Sequence, residues 1–448
     1  MQKRWIILFI LITFFSILGL FMPGDFSFDF SENVSPADVA WMITATIFVL
    51  MMTPGLSFFY GGMVREKNVI STMLQSFIAM GVISLIWVLF GFSLAFGNDI
   101  GHFMGDPTTY FMFNNVGGAA TDKLSTSLGL TIPLALFALF QMKFAIITPS
   151  LITGSFAERV RFSGYLIFMM LFCIFVYCPL AHWTWHPDGF LSMMHVKDFA
   201  GGIVVHASSG VAALTGAIFL GKRKDASEYR PANVPFVLLG AALLWLGWFG
   251  FNAGSSLAAN GIAVKAFLNT NTASAVAMIT WVALDCLLGR KPSAMGAAIG
   301  AVVGLVAITP SAGWVSVGES MFIAFVTTII CNVAVTWKNS KTTFDDALDV
   351  FPTHGVGGIV GTIMTGIFVY DPSSGLTHME SIFNHVLAVV IVCVYTFVVT
   401  YALYWITNKM VPMRVSVKSE KMGLDLSQHD ELYGQGVGER ELAEYTEK

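Results

Sequence analysis

The chain has 448 residues, of which 55% are hydrophobic and only 12% charged, with a mean hydropathy of +0.72. Soluble domains carry roughly 25% charged residues, so this composition excludes a water-soluble globular protein. It points to an all-α polytopic membrane protein that folds as one unit. The net charge of −4 is too small to imply a nucleic-acid or acidic partner.

Residues 1–22 begin with Lys3 and Arg4 and run apolar from Trp5 to Met22, as a secretory signal or a first spanning helix would. The run is long for a signal and no A-x-A site follows, yet the next stretch, GDFSFDFSENVSPAD, turns polar like a processed mature start. Eleven further apolar segments are predicted to span, at about 37–61, 71–96, 128–152, 163–184, 200–221, 233–253, 267–289, 293–309, 316–337, 351–370 and 384–408. The eighth and tenth lie near the lower length limit for a hydrocarbon core roughly 30 Å thick. A tail, 410–448, mixes both charges and ends acidic.

Charge orients these spans. Alternate loops and the tail hold 18 of the 24 basic residues, among them Arg65, Arg159, Arg161, Arg223, Arg290 and Lys338; the opposite loops hold only Lys123, Lys197 and Lys265. By the positive-inside rule the tail is cytoplasmic and the segment after residue 22 is outside. The chain is thus expected as a multi-pass protein of a cell membrane, with its N-terminus outside after processing. Forty-two glycines suit close helix packing in lipid. The five scattered cysteines show neither CxxC nor Cys/His ligand spacing, so no disulfide framework, metal or cofactor is expected.

Two segments echo each other: DFAGGIVVHASSG with Asp198 and His206, and DVFPTHGVGGIVG with Asp349 and His354. Five helices per half would place the copies in opposite orientation, the inverted 5+5 design in which a substrate path lies at the repeat interface. A helix opening at Asp198 would put His206 about 12 Å deeper, and titratable groups at that depth mark ion or proton pathways. Either histidine alone is readily a core residue bonded to a carbonyl; one in each half, both in Gly-rich helices, favours a pair lining one path. Asp198 is in position to cap its helix, and beside a path its charge also favours a cation. Trp185 fits an interfacial belt or a cation–π face. Phe140 and Phe144 share a helical face, Phe251 stands in GWFGFNAGSS, and Ser255 can bond its own helix carbonyls or offer an oxygen to a cation.

FQMKFAIITPSLITGSFAERVRF, AHWTW, DFAGGIVVHASSGVAALTGAIFLGKR, GWFGFNAGS, DVFPTHGVGGIVGTIMTGIF and the tail GLDLSQHDELYG together resemble the ammonium transporter family (Amt/Mep/Rh), nearer its microbial Amt branch. The resemblance implies that Trp185 and Ser255 recruit ammonium outside, with Asp198 supporting that site. It implies that Phe144 and Phe251 close the pore below it, with Phe140 one turn away, and that His206 and His354 are the twin histidines of an apolar pore. It further implies eleven spanning helices between 23 and 409, a homotrimer with one pore per subunit, and an inner-membrane location. Gly423 and Asp425 would belong to a cytoplasmic regulatory tail that serves P-II-type regulators. The expected activity is ammonium or ammonia conduction, not catalysis; an ammonium sensor with low flux is the alternative. Lys143 departs from the family's small or apolar residue beside Phe144: facing the pore it would repel an incoming cation, facing a subunit interface or snorkelling it is harmless, and the 100° step along the helix favours the second.

Overall fold

The computed structural model describes residues 2–22, 33–117, 123–225 and 229–434. The polar stretch 23–32 and the acidic tail end 435–448 therefore lie outside the described residues. Among the described residues the regular structure is helical, apart from a short hairpin pairing Asp99–Ile100 with Met104–Gly105 and a single bridge between Val160 and Arg414.

Nine helices among the described residues are long and apolar enough to cross a membrane. They fall on nine of the eleven predicted segments, and their starts have visible local causes. Ser35 accepts the amide of Asp38 ahead of Pro36–Met63; Asn233 and Asn260 do the same for Val234–Gly254 and Gly261–Leu287. Ser316 with Glu319, and Thr377 with Glu380, form capping boxes that open Val317–Lys341 and His378–Met410. The third segment starts later than expected, at Leu134 rather than 128, because Pro133 sets the entry to Leu134–Ile152. The two segments near the length limit are the two short ones: Ala294–Ile308, and a π-turn Phe351–Gly355 running into Val356–Phe368.

The basic loops meet at one end of the bundle. Glu158 binds Arg65 at 2.7 Å and Arg223 at 2.9 Å, and Arg223 also binds Asp345 at 2.9 Å. Burial alone would raise the Glu158 carboxyl, but its hydrogen bonds and ion pairs with the two arginines outweigh that and hold it below its ordinary value. The tail closes over this cluster. Glu420 accepts from Arg414 and from the amides of Lys224 and Asp225, and Asp425 accepts from the amides of Ile70 and Ser71 at 3.0 and 2.7 Å, capping Val69–Ile86. Gly423, at φ +98°, packs on Lys67 where a Cβ would collide with its carbonyl.

The helices bearing His206 and His354 cross at Gly210 and Gly355. A Cβ on Gly210 would fall on the backbone N and Cα of Gly355, so only glycine permits this approach. Overpacking a core usually costs about 1–3 kcal/mol when side chains can shift; here backbone would have to move. Gly210→Ala is expected to lower the unfolding temperature of the purified protein sharply. An unchanged melting curve would show that the crossing is looser than this.

Candidate functional site

Both histidines sit in π-turns at the starts of short helices, His206 in Gly202–Ala207 and His354 in Phe351–Gly355. π-turns recur at functional positions because they re-aim side chains. The helix of His206 does not open at Asp198 as expected. Residues 198–201 form a bend, Gly201 turns at φ +114°, and helical backbone starts at Gly202. The capping role nevertheless holds: Asp198 Oδ1 accepts from Gly201 and Gly202 at 2.9 and 2.7 Å, and Oδ2 accepts from Ile203 and Val204 at 2.8 and 3.4 Å.

In spacing and bonding Asp346, rather than Asp349, resembles Asp198. Asp346 lies eight residues before His354, as Asp198 lies eight before His206, and its Oδ2 accepts from Phe351 at 2.8 Å. Asp349 instead pairs with Lys338 at 2.5 Å. Burial pushes its carboxyl up to about 6 in spite of that lysine.

A column of rings connects the Asp198 bend to the histidines. Trp185, half-buried, donates its indole N–H to the Asp198 carbonyl at 2.9 Å. Its ring meets Phe144 edge-on with centroids 6.0 Å apart, and Phe144 stacks on Phe251 at 4.2 Å and 23°. Phe251 lies 6.0 Å from His206, and the His206 and His354 rings are 5.4 Å apart, with Nδ1 to Nδ1 at 3.3 Å. One nitrogen of that contact must donate and the other accept, so the pair shares a proton. His206 Nε2 is buried and has no hydrogen-bond partner among the described residues.

Of the remaining predicted residues, Ser255 is half-buried one turn after Phe251 and donates to its carbonyl at 2.8 Å, which leaves the hydroxyl lone pairs available. Phe140 braces Phe144 from the side, with centroids 4.9 Å apart, and packs against Gly254. Lys143 is half-buried, shares a face with the exposed Leu139, and has its Nζ 3.6 Å from Met142 Sδ; it stands outside the cavity lining.

The histidines face a cavity whose other walls are apolar, including Met52, Leu56, Phe59, Leu244 and Val302. It has about 10 Å³ open to the centre of a water-sized sphere, and one small molecule needs roughly 10–15 Å³ on that measure. A second cavity of about 490 Å³ is lined by Arg223, Lys338, Asp345 and Asp349 together with Met63 and Ile299, one helical turn from Phe59 and Val302 of the first. The first cavity is small and apolar apart from the histidines, the second larger and lined by charged side chains.

Trp248 is a site residue that sequence reasoning missed. It stacks on His206 at 5.2 Å and 16°, and donates to Thr309 Oγ1 at 2.9 Å. Its position three residues before Phe251, on the same helical face, was the available signal.

Comparison with known proteins identifies the family. The family model described as Ammonium Transporter Family matches residues 40–433. The ammonium transporter of Bacillus subtilis is 42% identical over 403 residues, covering 88% of this chain and 97% of that protein. The crystal structure of Candida albicans Mep2 is 34% identical with a TM-score of 0.79, over 86% of this chain and 87% of that one. A structure named Sensor Amt Protein is 28% identical with a TM-score of 0.80, over 88% and 98%. A multi-pass bundle matched along nearly its whole length by such relatives settles the matter: the chain belongs to the ammonium transporter family.

Proposed function

We propose that the protein recruits ammonium at Trp185 and Ser255, strips a proton from it, and passes ammonia through the constriction beside His206 and His354. The observation that carries this reading is the unbroken column from Trp185 through Phe144 and Phe251 to the histidine pair. An intact cation would pay several kcal/mol or more to enter an apolar constriction of this size. Ammonium avoids the cost by leaving its proton behind, whereas potassium has none to give. The imidazoles offer hydrogen bonds to ammonia, and the proton they share gives the displaced proton a relay. Asp198 holds the bend beneath the recruitment site and adds negative potential there.

In this reading Phe140, Phe144 and Phe251 are the gate. Residues 23–409 form the transport domain with eleven spans in an inverted 5+5 arrangement, the short segments 294–308 and 351–368 being two of them. The equal spacing of Asp198 from His206 and Asp346 from His354 supports the repeat. Residues 1–22 are a leader or an extra membrane helix. The basic end is cytoplasmic, and the tail 410–448, anchored through Gly423 and Asp425, offers a docking site for a P-II-type regulator. The assembly is a homotrimer in the inner membrane. The transporter reading is preferred to the sensor, because Lys143 stands apart from the cavity.

The test is current on a supported membrane with purified protein. Ammonium jumps should evoke a sustained current that potassium does not, Trp185→Leu should raise the half-saturating concentration, and Lys143→Ala should leave the current unchanged. Equal currents from potassium and ammonium would overturn the mechanism. Silent wild type with a conducting Lys143→Ala would favour the sensor.

A further inference from the structure

His385, on the last membrane helix, is fully buried and belongs to none of the groups described so far. Its Nδ1 lies 2.7 Å from the carbonyl of Ser381, and its Nε2 accepts the backbone N–H of Lys197 at 3.0 Å. A carbonyl can only accept, so Nδ1 carries the proton; an amide can only donate, so Nε2 must be bare. The two contacts together require a neutral ring of one tautomer.

The amide it accepts precedes Asp198. The same bend gives Trp185 its carbonyl anchor, and Phe199 donates to Pro310 at 3.0 Å. The other flank of His385 lies on Gly366 of Val356–Phe368, where a Cβ would come within 3.1 Å of the ring's Cγ and Nδ1. One imidazole thus touches both the bend beneath the recruitment site and the helix that continues from His354.

We propose that His385 is a positioning residue for ammonium recruitment, and that its protonation from the external side releases the Asp198 bend. This rests on the reading of Trp185 and Asp198 as the recruitment site. A protonated ring presents Nε2–H to the Lys197 N–H, donor against donor, and the bond is lost. The charged group that acts on the ring is Lys197 on the bend, its Nζ held by Asp371 at 3.4 Å; Glu380, five residues before His385 on the same helix, is engaged with Thr377. Helix Val356–Phe368 contributes no titratable side chain. Acid therefore acts through His385 in one direction, toward loosening.

The test uses purified full-length protein in proteoliposomes, with ammonium concentration series at several external pH values and hydrogen exchange over residues 196–204. His385→Leu should raise the half-saturating ammonium concentration about tenfold at every pH, the scale of a buried amide losing its acceptor, and should speed exchange of that segment. His385→Gln, whose side-chain carbonyl can take the Lys197 N–H, should recover most of that loss and flatten the acid limb of the wild-type profile. An acid limb unchanged in His385→Gln, with exchange over 196–204 as in wild type, would overturn the proposal even if the leucine variant fails to fold. Trp185→Leu run alongside separates the two readings. If it leaves half-saturation untouched, the recruitment site is misassigned; if it raises half-saturation and the His385 variants do not, only the brace is wrong.

Discussion

Asp198→Ala is expected to abolish ammonium-evoked current and to destabilise the protein severely, and Asp198→Asn to fall between it and wild type. Four amides, those of Gly201, Gly202, Ile203 and Val204, converge on this carboxylate, and a methyl group accepts none of them. A buried donor left unpaired costs about 1–3 kcal/mol, so four together rival a typical domain stability of about 5–15 kcal/mol. Asparagine retains one oxygen for the Gly201 and Gly202 pair but turns an NH₂ toward Ile203 and Val204, so half of the arrangement is lost. Current loss also follows from geometry, since the Asp198 carbonyl anchors Trp185 and the π-turn it caps aims His206. Melting curves in detergent and currents on a supported membrane should both rank wild type above asparagine and asparagine above alanine. An alanine variant with wild-type melting and current would mean that water replaces the carboxylate, and that Asp198 supports neither fold nor recruitment.

What could be read from the chain alone followed the range of the interactions concerned. The spans were legible because a bilayer demands long apolar runs and because their caps are local: Ser316 with Glu319 and Thr377 with Glu380 lie three residues apart. The entry at Leu134 was misplaced because apolar residues before Pro133 prolong the run without continuing the helix. Of the acids ahead of His354, the chain alone singled out Asp349 as the echo of Asp198. Adjacency to the DVFPTH motif drew attention to the nearer acid, whereas the equal eight-residue spacing points to Asp346. Asp349 is left for Lys338, which reaches it from the preceding helix. His385 had no local signature at all: its partner is the amide of Lys197, 188 residues away in the chain. A lone histidine in an apolar helix gives no sign of such a contact until the bundle closes. The direction of Lys143, by contrast, could be argued from the angular step of the helix, since side-chain direction is a local property, and it shares a face with the exposed Leu139.

Changing His354 to aspartate or to leucine should move selectivity in opposite ways. The constriction excludes potassium, on the present reading, because the ion loses its hydration among Met52, Leu56, Phe59, Leu244 and Val302 and gains only two neutral imidazoles. A carboxylate at position 354 would repay about 4 kcal/mol to a cation some 4 Å away at an effective dielectric of about 20, close to a thousandfold in partition at about 1.4 kcal/mol per decade. His354→Asp should therefore pass a potassium current that wild type lacks, while ammonium itself crosses as an ion. Leucine adds no charge and removes the nitrogen that faces His206 at 3.3 Å, so the shared proton has nowhere to go. In His354→Leu the ammonium current should vanish while potassium stays excluded, and liposomes under an ammonia gradient should still alkalinise if neutral gas can pass the apolar wall. The two variants probe different steps. If the aspartate variant still rejects potassium, selection lies above the histidines, at the Trp185, Phe144 and Phe251 entrance. If the leucine variant keeps its current, the proton crosses by a route that does not include the histidine pair.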